Sequence, residues 1–196
     1  MVKDCLSLIN IINRENSVQN VSFSFLEFLG YKLLIASTNK GICLVKFVDE
    51  GSNGLIKQAI LRESKFRISI DFDGHYYVNQ CKEELKDYFL RKRKRFTVSI
   101  DLYGTEFQRK VWLNLMTIPY GVKISYKQQS IDFGHQKAIR AIASANGKNN
   151  LAVIIPCHRV VGVNGALTGY RAGLQIKRKL LVLEGGLLDN QYQLPF

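Results

Sequence analysis

Apolar and polar residues form short runs over the first half of the chain. One run alternates with the period of two of a half-buried strand, and two compact apolar runs flank Thr38-Asn39-Lys40-Gly41, a turn sequence. From Tyr77 to Leu90 the apolar positions change to helical spacing. The pattern predicts a strand-rich unit closed by a helix, with a domain boundary near residue 97. The predicted strands are residues 21–28, 31–36 and 42–48.

The second half is predicted to be largely helical. Thr105 and Gln108 have the spacing of a capping box, in which each side chain satisfies a free backbone N–H at the start of a helix. A short helix is predicted from Ser125, Gly134 breaks the chain, and another helix follows over residues 136–146. Two helices around a glycine turn are compatible with a helix-turn-helix, although many helical proteins share this pattern.

The predicted helix 136–146 has two contrasting faces. One face should be core, and beside it runs a stripe of alanines flanked by cations and a serine. The stripe is compatible with packing against another helix or with close approach to a phosphate-lined groove. The predicted core residues are Ile139, Ile142 and Ala143, the stripe is Ala138, Ala141 and Ala145, and its flank is Lys137, Arg140 and Ser144.

Composition narrows the class of protein. With 46% hydrophobic and 22% charged residues in a chain of 196, a globular protein is expected and disorder is not. No apolar run approaches the roughly 18 residues that suggest a membrane span, so no membrane partner is expected. Acidic and polar residues interrupt the apolar N-terminal stretch, which argues against a signal peptide and favours a cytoplasmic location, either nucleoid-associated or, in a eukaryote, nuclear.

Basic residues exceed acidic ones, and the formal net charge is +12. Residues 1–100 carry 16 Lys/Arg against 11 Asp/Glu, with their surplus in the run 91–95. Residues 101–196 carry 12 against 5, spread along the chain. This distribution suits a surface that faces a polyanion, and it suits solvated lysine-rich faces equally well.

The four cysteines form no CxxC pair, so no metal site is predicted. Cys5, Cys43 and Cys81 are expected to be buried or idle thiols. The apolar run 151–155 predicts a buried strand that leads through a proline into Cys157 and His158. The histidine would lower the pKa of the thiol or accept its proton, although a generic Cys-His pair is more often a core cysteine beside a surface histidine.

The longer string Ile155-Pro-Cys-His-Arg-Val-Val161 resembles the active-site signature of the O6-alkylguanine-DNA alkyltransferases. The similarity covers about residues 104–185 without an obvious gap, and chance does not account for five motifs in the same order. The other four are FQRKVW, TIPYGVKISY, KAIRAIASANGKNN and GALTGYRAGLQIKRKLLVLEG.

The resemblance implies an α+β protein with two domains. Residues 1–97 would form a ribonuclease-H-like α/β domain, and residues 98–196 a winged-helix-like domain with the helix-turn-helix and the reactive site. The implied reaction moves an alkyl group, chiefly methyl, from O6-alkylguanine or O4-alkylthymine in DNA to Cys157, once per chain. The implied partner is double-stranded DNA, bound through its minor groove by a monomer. No cofactor or metal is implied.

The resemblance also implies roles for individual residues. In the family, the cysteine passes its proton through water to a histidine that a glutamate supports, and Cys157, His158 and Glu184 match these three. Tyr126 matches a tyrosine that donates to the leaving guanine, and Asn149 matches an asparagine that orders the active-site turn. An acid in the last turn of a helix, as Glu184 is, opposes the helix dipole, and a buried partner would explain it.

The base pocket and the DNA surface follow from the same resemblance. Val160, Tyr170 and Arg171 match the pocket. In the family an arginine fills the gap that an extruded base leaves in the duplex, and Arg140 matches it. The other DNA-contact positions are Ala138, Lys137 and Lys127, and the chain departs from the family's common residues at Gln136 and Lys127.

Three other functions stay open at this point. Alkyltransferase-like proteins bind lesions without transfer, but they lack the reactive cysteine that Cys157 would supply. A cysteine hydrolase would use Cys157 and His158 repeatedly on an acyl substrate. A transcription regulator would use the helix-turn-helix, although no sensor domain is visible in the sequence.

Overall fold

The computed structural model describes residues 20–48, 67–70 and 75–187. The chain divides into two compact units, one of residues up to Lys86 with Thr97–Asp101 and the other of Asp87–Phe96 with residues from Leu102 onward. The single boundary near residue 97 stays a prediction. The expectations for the N-terminal stretch and for Cys5 lie outside the described residues.

The first unit is built on a four-stranded sheet with the order β3-β2-β1-β4. Strand β1 pairs antiparallel with β2 and parallel with β4, and β2 pairs antiparallel with β3. The predicted strands and turn are confirmed, and Thr38 N donates to Gly41 O at 2.9 Å. The strands are β1 (Asn20–Phe28), β2 (Tyr31–Ser37), β3 (Ile42–Phe47) and β4 (Arg67–Ile70). Helix α1 (Tyr76–Phe89) begins in this unit, and its last residues, from Asp87, belong to the second unit.

Burial explains why β2 reads as a continuous apolar run. Residues 33–36 are all 2% exposed or less, as expected for a strand between two others with both faces covered. Helix α1 is buried at Val78, Cys81 and Leu85, which recur at intervals of three and four residues. Cys43 and Cys81 are both buried, as expected for thiols that act as small hydrophobes.

The second unit is mainly helical. Thr105 and Gln108 form the predicted capping box at the start of its first helix. A two-stranded parallel ladder joins β5 to β6. The elements are α2 (Glu106–Leu115), β5 (Ile124–Ser125), α3 (Tyr126–Asp132), a 3₁₀ turn (Gln136–Ala138), α4 (Ile139–Gly147), a second 3₁₀ turn (Cys157–Arg159), β6 (Val160–Val161) and α5 (Leu174–Leu183).

Polar contacts hold the helix-turn-helix, α3 and α4, in place. Gln129 on α3 and Asn146 on α4 are buried, and their amides exchange two hydrogen bonds of 2.7 and 3.2 Å. Trp112 on α2 donates from Nε1 to Ala145 O at 2.8 Å. Because a buried amide is costly unless it is paired, these contacts restrict the angle between the two helices.

The predicted core face of residues 136–146 is partly wrong. Ile142 is buried as predicted, but Ile139 is 36% exposed, and Ala145 from the alanine stripe is 2% exposed. The segment begins as a 3₁₀ turn, so its first residues do not follow the α-helical angle on which the prediction relied. The paired amide of Asn146 then allows a polar side chain on the buried face.

No helix in the described part of the chain is long and apolar enough to cross a membrane. Among the same residues, no cluster of three or more His, Cys, Asp or Glu side chains could hold a metal ion.

We predict that the amide pair is energetically coupled. Gln129→Ala or Asn146→Ala should each cost about 1–3 kcal/mol, because each leaves a buried amide unpaired. The double variant should lose less free energy of unfolding than the two single variants added together, since the second change removes the amide that the first leaves unpaired. Urea unfolding followed by the fluorescence of Trp112, the only tryptophan, measures all three. Gln129→Ala combined with Thr105→Ala, which shares no partner with it, should be additive; additivity within the pair would contradict the coupling.

Candidate active site

Cys157 begins a 3₁₀ turn one residue after the mostly buried segment 151–155, with Pro156 between them. The prediction of a strand there is wrong, because the segment forms a compact turn with Val153 in the left-handed region at φ 72°. Its backbone bonds are local, with Ile155 N donating to Leu151 O at 2.9 Å. The apolar side chains are buried as predicted, but they line a turn that presents the thiol.

Asn149 satisfies the polar groups of this turn. Its Oδ1 accepts from Leu151 N at 2.9 Å, and its Nδ2 donates to Ile155 O at 2.8 Å. The same Nδ2 lies 3.2 Å from Cys157 Sγ. One buried amide therefore fixes the turn that carries the cysteine and also supplies a hydrogen-bond donor to the sulfur.

His158 is fully buried, and its Nε2 lies 2.8 Å from Glu184 Oε1. Its other nitrogen, Nδ1, has no hydrogen-bond partner among the described residues. Burial lowers the pKa of His158 below its ordinary value, although Glu184 opposes this shift. The ring is thus neutral near pH 7, and Nδ1 is the nitrogen that can take up a proton.

The Glu184 carboxylate is the centre of the buried network. Besides His158, it accepts from Arg159 Nε at 2.8 Å and Nη2 at 2.9 Å, from Tyr88 Oη at 2.6 Å and from Gly121 N at 3.1 Å. Burial alone would raise the pKa of this carboxyl, but hydrogen bonds from His158 and Arg159 outweigh it and hold the pKa at about 2. These donors explain how an acid is tolerated at the C-terminal end of a helix.

Gly121 is required where it stands. Its φ is +78°, and a Cβ there would lie 2.7 Å from Glu184 O, closer than any side chain can approach. The absence of a side chain lets the backbone N–H of Gly121 reach the carboxylate.

Lys177 is a buried cation that the sequence analysis missed. Its Nζ donates to Val160 O at 2.6 Å and to Thr168 O at 2.7 Å, and it lies 5.8 Å from the centre of the Tyr126 ring. Burial lowers its pKa to about 8, although Cys157 opposes this shift. The sequence held a signal, because Lys177 and Glu184 share helical spacing with Leu180 and Leu181 on one face of α5.

Competing effects act on the Cys157 thiol. Burial raises its pKa, whereas the Asn149 hydrogen bond and the nearby Lys177 lower it, and the net shift is upward. The resting pair is therefore a neutral thiol beside a neutral imidazole. Forming the thiolate requires a proton to move onto a base such as His158 Nδ1.

The remaining site residues fall into two groups. Tyr126 donates from Oη to Gly169 O at 3.5 Å, and burial together with Cys157 raises its pKa. Val160 is buried, Tyr170 Oη is buried without a partner among the described residues, and Arg171 is exposed. The helix-turn-helix carries the DNA-contact candidates, of which Lys127, Lys137 and Arg140 are exposed and Ala138 is half-buried. No hydrogen bond joins this second group to the thiol, and all of these roles stay predictions.

Fold and site together define an α+β protein that combines a helix-turn-helix with a cysteine backed by a buried His–Glu pair. The family model "6-O-methylguanine DNA methyltransferase, DNA binding domain" matches residues 106–186. The inducible methylated-DNA–protein-cysteine methyltransferase of Bacillus subtilis is 36% identical over 170 residues, which are 87% of this chain and 93% of that protein. The chain therefore belongs to the methylated-DNA–protein-cysteine methyltransferase family.

Solved structures agree with this assignment. Mycobacterium tuberculosis O6-methylguanine methyltransferase superposes with a TM-score of 0.72 at 31% identity, over 87% of this chain and 96% of that one. Mycobacterium tuberculosis OGT in complex with DNA gives a TM-score of 0.70 at 32% identity, over 85% and 92%. The predicted α+β class is confirmed, with a sheet in the N-terminal unit and mainly helices in the C-terminal one.

We predict that Glu184 makes the second unit sensitive to acid. Its folded pKa of about 2 lies below the ordinary 4.5, so its stabilisation is complete above about pH 4.5 and is lost as the pH falls towards 2. Urea unfolding followed by Trp112 fluorescence should show the free energy of unfolding falling across that window.

Glu184→Gln should be less stable at neutral pH, because Arg159 would be buried without its ion-pair partner. Its difference from the wild type should shrink as the pH falls. Glu106→Gln is the matched control, since Glu106 is exposed and pairs with Lys110 on the surface. A constant difference between wild type and Glu184→Gln across the acid window would contradict the assignment.

Proposed function

We propose that this protein repairs DNA by transferring an alkyl group, chiefly methyl, from O6 of guanine or O4 of thymine to Cys157. One observation carries the proposal. Asn149 donates a hydrogen bond to the Cys157 thiol, and the neighbouring neutral His158 is bound through Nε2 to the buried Glu184 carboxylate. The helix-turn-helix lies in the same unit. Membership of the methyltransferase family supports the same conclusion.

The chemistry that these groups support is a single displacement. The Cys157 proton moves through a water to His158 Nδ1, and Glu184 stabilises the imidazolium that forms. The thiolate attacks the alkyl carbon, so the S–C bond forms while the C–O6 bond breaks and its electron pair enters the guanine. The Tyr126 hydroxyl then donates a proton to a guanine ring nitrogen. The proton on the His158 imidazolium finally returns to the Tyr126 oxygen, so both side chains end neutral.

Two features suit Tyr126 to that role. Burial raises its pKa, so the hydroxyl is protonated when the leaving base needs a proton. The Lys177 ammonium, 5.8 Å from the ring centre, would stabilise the phenolate that forms. The product at Cys157 is a thioether, and regenerating the thiol would require a nucleophile to expel the cysteine thiolate from the alkyl carbon, so each chain reacts once. The reaction as written needs no cofactor.

Double-stranded DNA carrying O6-alkylguanine is the proposed substrate, bound by a monomer through its minor groove. An alkylated base inside a duplex must be extruded before the half-buried Cys157 thiol can reach it. Arg140 is exposed at the start of α4 and is proposed to fill the gap in the stack, while Lys127 and Lys137 contact phosphates. The pocket for the extruded base is proposed to include Val160, Tyr170 and Arg171. A cytoplasmic location fits this role.

The first test of this function is stoichiometry. Incubation with DNA containing O6-methylguanine should add one methyl group per chain, on Cys157, with no further product once the protein is exhausted. Intact-mass and peptide mass spectrometry measure both. Cys157→Ser should abolish transfer but keep DNA binding, because a serine hydroxyl is a far poorer nucleophile at neutral pH. Repeated turnover, or label on Cys43 or Cys81, would exclude the proposal.

A second test separates base extrusion from phosphate binding. Arg140→Ala should slow repair of duplex DNA by about ten- to a hundredfold more than reaction with free O6-benzylguanine, which needs no extrusion. Lys137→Ala, the matched surface control, should lower DNA affinity modestly and reduce the salt dependence of binding by about one unit. Equal slowing of duplex and free base by Arg140→Ala would show that Arg140 supports the fold of the site instead.

A further inference from the structure

Tyr88 lies on the carboxylate that supports the base, yet it comes from a part of the chain outside the residues 106–186 that the family model matches. Its side chain is fully buried, and its hydroxyl donates to Glu184 Oε1 at 2.6 Å. This is the shortest of the hydrogen bonds to Glu184. Residues Asp87–Phe96 belong to the second unit, the one that contains Cys157.

The hydroxyl of Tyr88 shares its acceptor with the candidate base. Oε1 of Glu184 accepts from Tyr88, from His158 Nε2 at 2.8 Å and from Arg159 Nη2 at 2.9 Å. Three donors on one oxygen compete for its negative charge, so each weakens the interaction of the others. The donor with the shortest contact to Oε1 is therefore placed to control how strongly that oxygen stabilises a charged imidazole.

We infer that Tyr88 is a positioning residue of the transfer reaction, whose hydroxyl orients the Glu184 carboxylate and limits the negative charge that Oε1 offers to His158. The inference rests on the proposed function, since it concerns the base that would receive the Cys157 proton. Tyr88 acts through Glu184 and His158 and has no contact with the thiol itself.

The surroundings of Tyr88 hold it as a permanent donor. Its ring centre lies 5.6 Å from those of Phe89 and Phe96 and 5.9 Å from that of Tyr120, so the hydroxyl has little freedom to leave the carboxylate. Burial, and then the charge of Glu184, raise its pKa well above the ordinary value. The hydroxyl thus stays protonated while the thiol and the imidazole titrate.

Other ionisable groups also act on this pair. Glu184 faces Arg159, Tyr120 and Tyr170 as well as Tyr88 and His158, and Lys177 acts on both His158 and Cys157. A test must therefore leave these groups in place and change only the hydroxyl on Oε1. Tyr88→Phe meets this condition, because Oε1 keeps two donors and phenylalanine strands no polar group.

Tyr88→Phe should strengthen the pairing of Glu184 with His158 and favour the imidazolium. The thiolate–imidazolium pair should then be about three- to tenfold more populated near neutral pH, as a rise of about half a unit to one unit in the pKa of His158 requires. The rate with free O6-benzylguanine should rise by the same factor near neutral pH, and the acid limb of its pH–rate profile should move to higher pH, because His158 must be neutral to accept the thiol proton. Glu184→Gln should move it the opposite way, because the carboxylate that stabilises the imidazolium is gone.

Tyr120→Phe is the matched control. Tyr120 belongs to the same ring cluster, but its hydroxyl donates to the backbone oxygen of Leu183 at 3.2 Å and not to the carboxylate. Its pH–rate profile should coincide with that of the wild type. An NMR titration of the His158 imidazole in all four proteins reports the pKa directly and does not depend on catalysis.

A graded change covers the case in which Tyr88→Phe folds poorly. Site-specific 3-fluorotyrosine at position 88 keeps the shape of the ring and makes the hydroxyl a stronger donor, so the profile and the His158 pKa should move opposite to those of Tyr88→Phe. A wild type that does not methylate Cys157 would overturn the proposed function, whatever the variants do. If the wild type reacts, a Tyr88→Phe profile that coincides with that of Tyr120→Phe, or that is slower at every pH without a shift, would overturn the role of Tyr88.

Discussion

The buried carboxylate of Glu184 is the interaction on which the second unit depends. It is the C-cap residue of α5, where the helix dipole disfavours a negative charge, and its side chain is fully buried. Five hydrogen bonds, from His158, Arg159 twice, Tyr88 and Gly121 N, offset these costs. The carboxylate thereby joins the end of α5 to the 3₁₀ turn Cys157–Arg159, to the loop before β5 and to the segment 87–96.

This network explains how charged side chains come to be buried around one thiol. Arg159 is tolerated because two of its nitrogens bind Glu184 and a third donates to Ile118 O. Lys177 is held by two backbone oxygens, and burial lowers its pKa to about 8. The pKa of Glu184 falls for a different reason, the hydrogen bonds that it accepts from His158 and Arg159. The fold thus keeps a negative charge behind the imidazole and a positive charge beside the sulfur.

Sequence periodicity located the elements better than it located the site. Strands β1 to β3 and helix α1 were predictable, because burial on sheet and helix faces imposes periods that the sequence shows. The turn that carries Cys157 was not, since its apolar run is typical of a strand, and the turn depends on hydrogen bonds from the Asn149 side chain that no local pattern indicates. The pairing of Tyr88 with Glu184 joins residues 96 apart, and no local pattern indicates such a contact.

The electrostatics of the site fit a protein that reacts only once. A permanently ionised thiol would react with any electrophile or oxidant that reached it, and the chain would be lost without repairing DNA. Burial instead leaves Cys157 and His158 both neutral at rest, with their pKa values shifted in the directions that oppose proton transfer. Once the charged pair forms, Glu184 stabilises the imidazolium and Lys177 stabilises the thiolate. In the proposed mechanism, thiolate formation therefore coincides with the proton transfer to His158, and the reactive state is populated only as far as Glu184 stabilises the imidazolium.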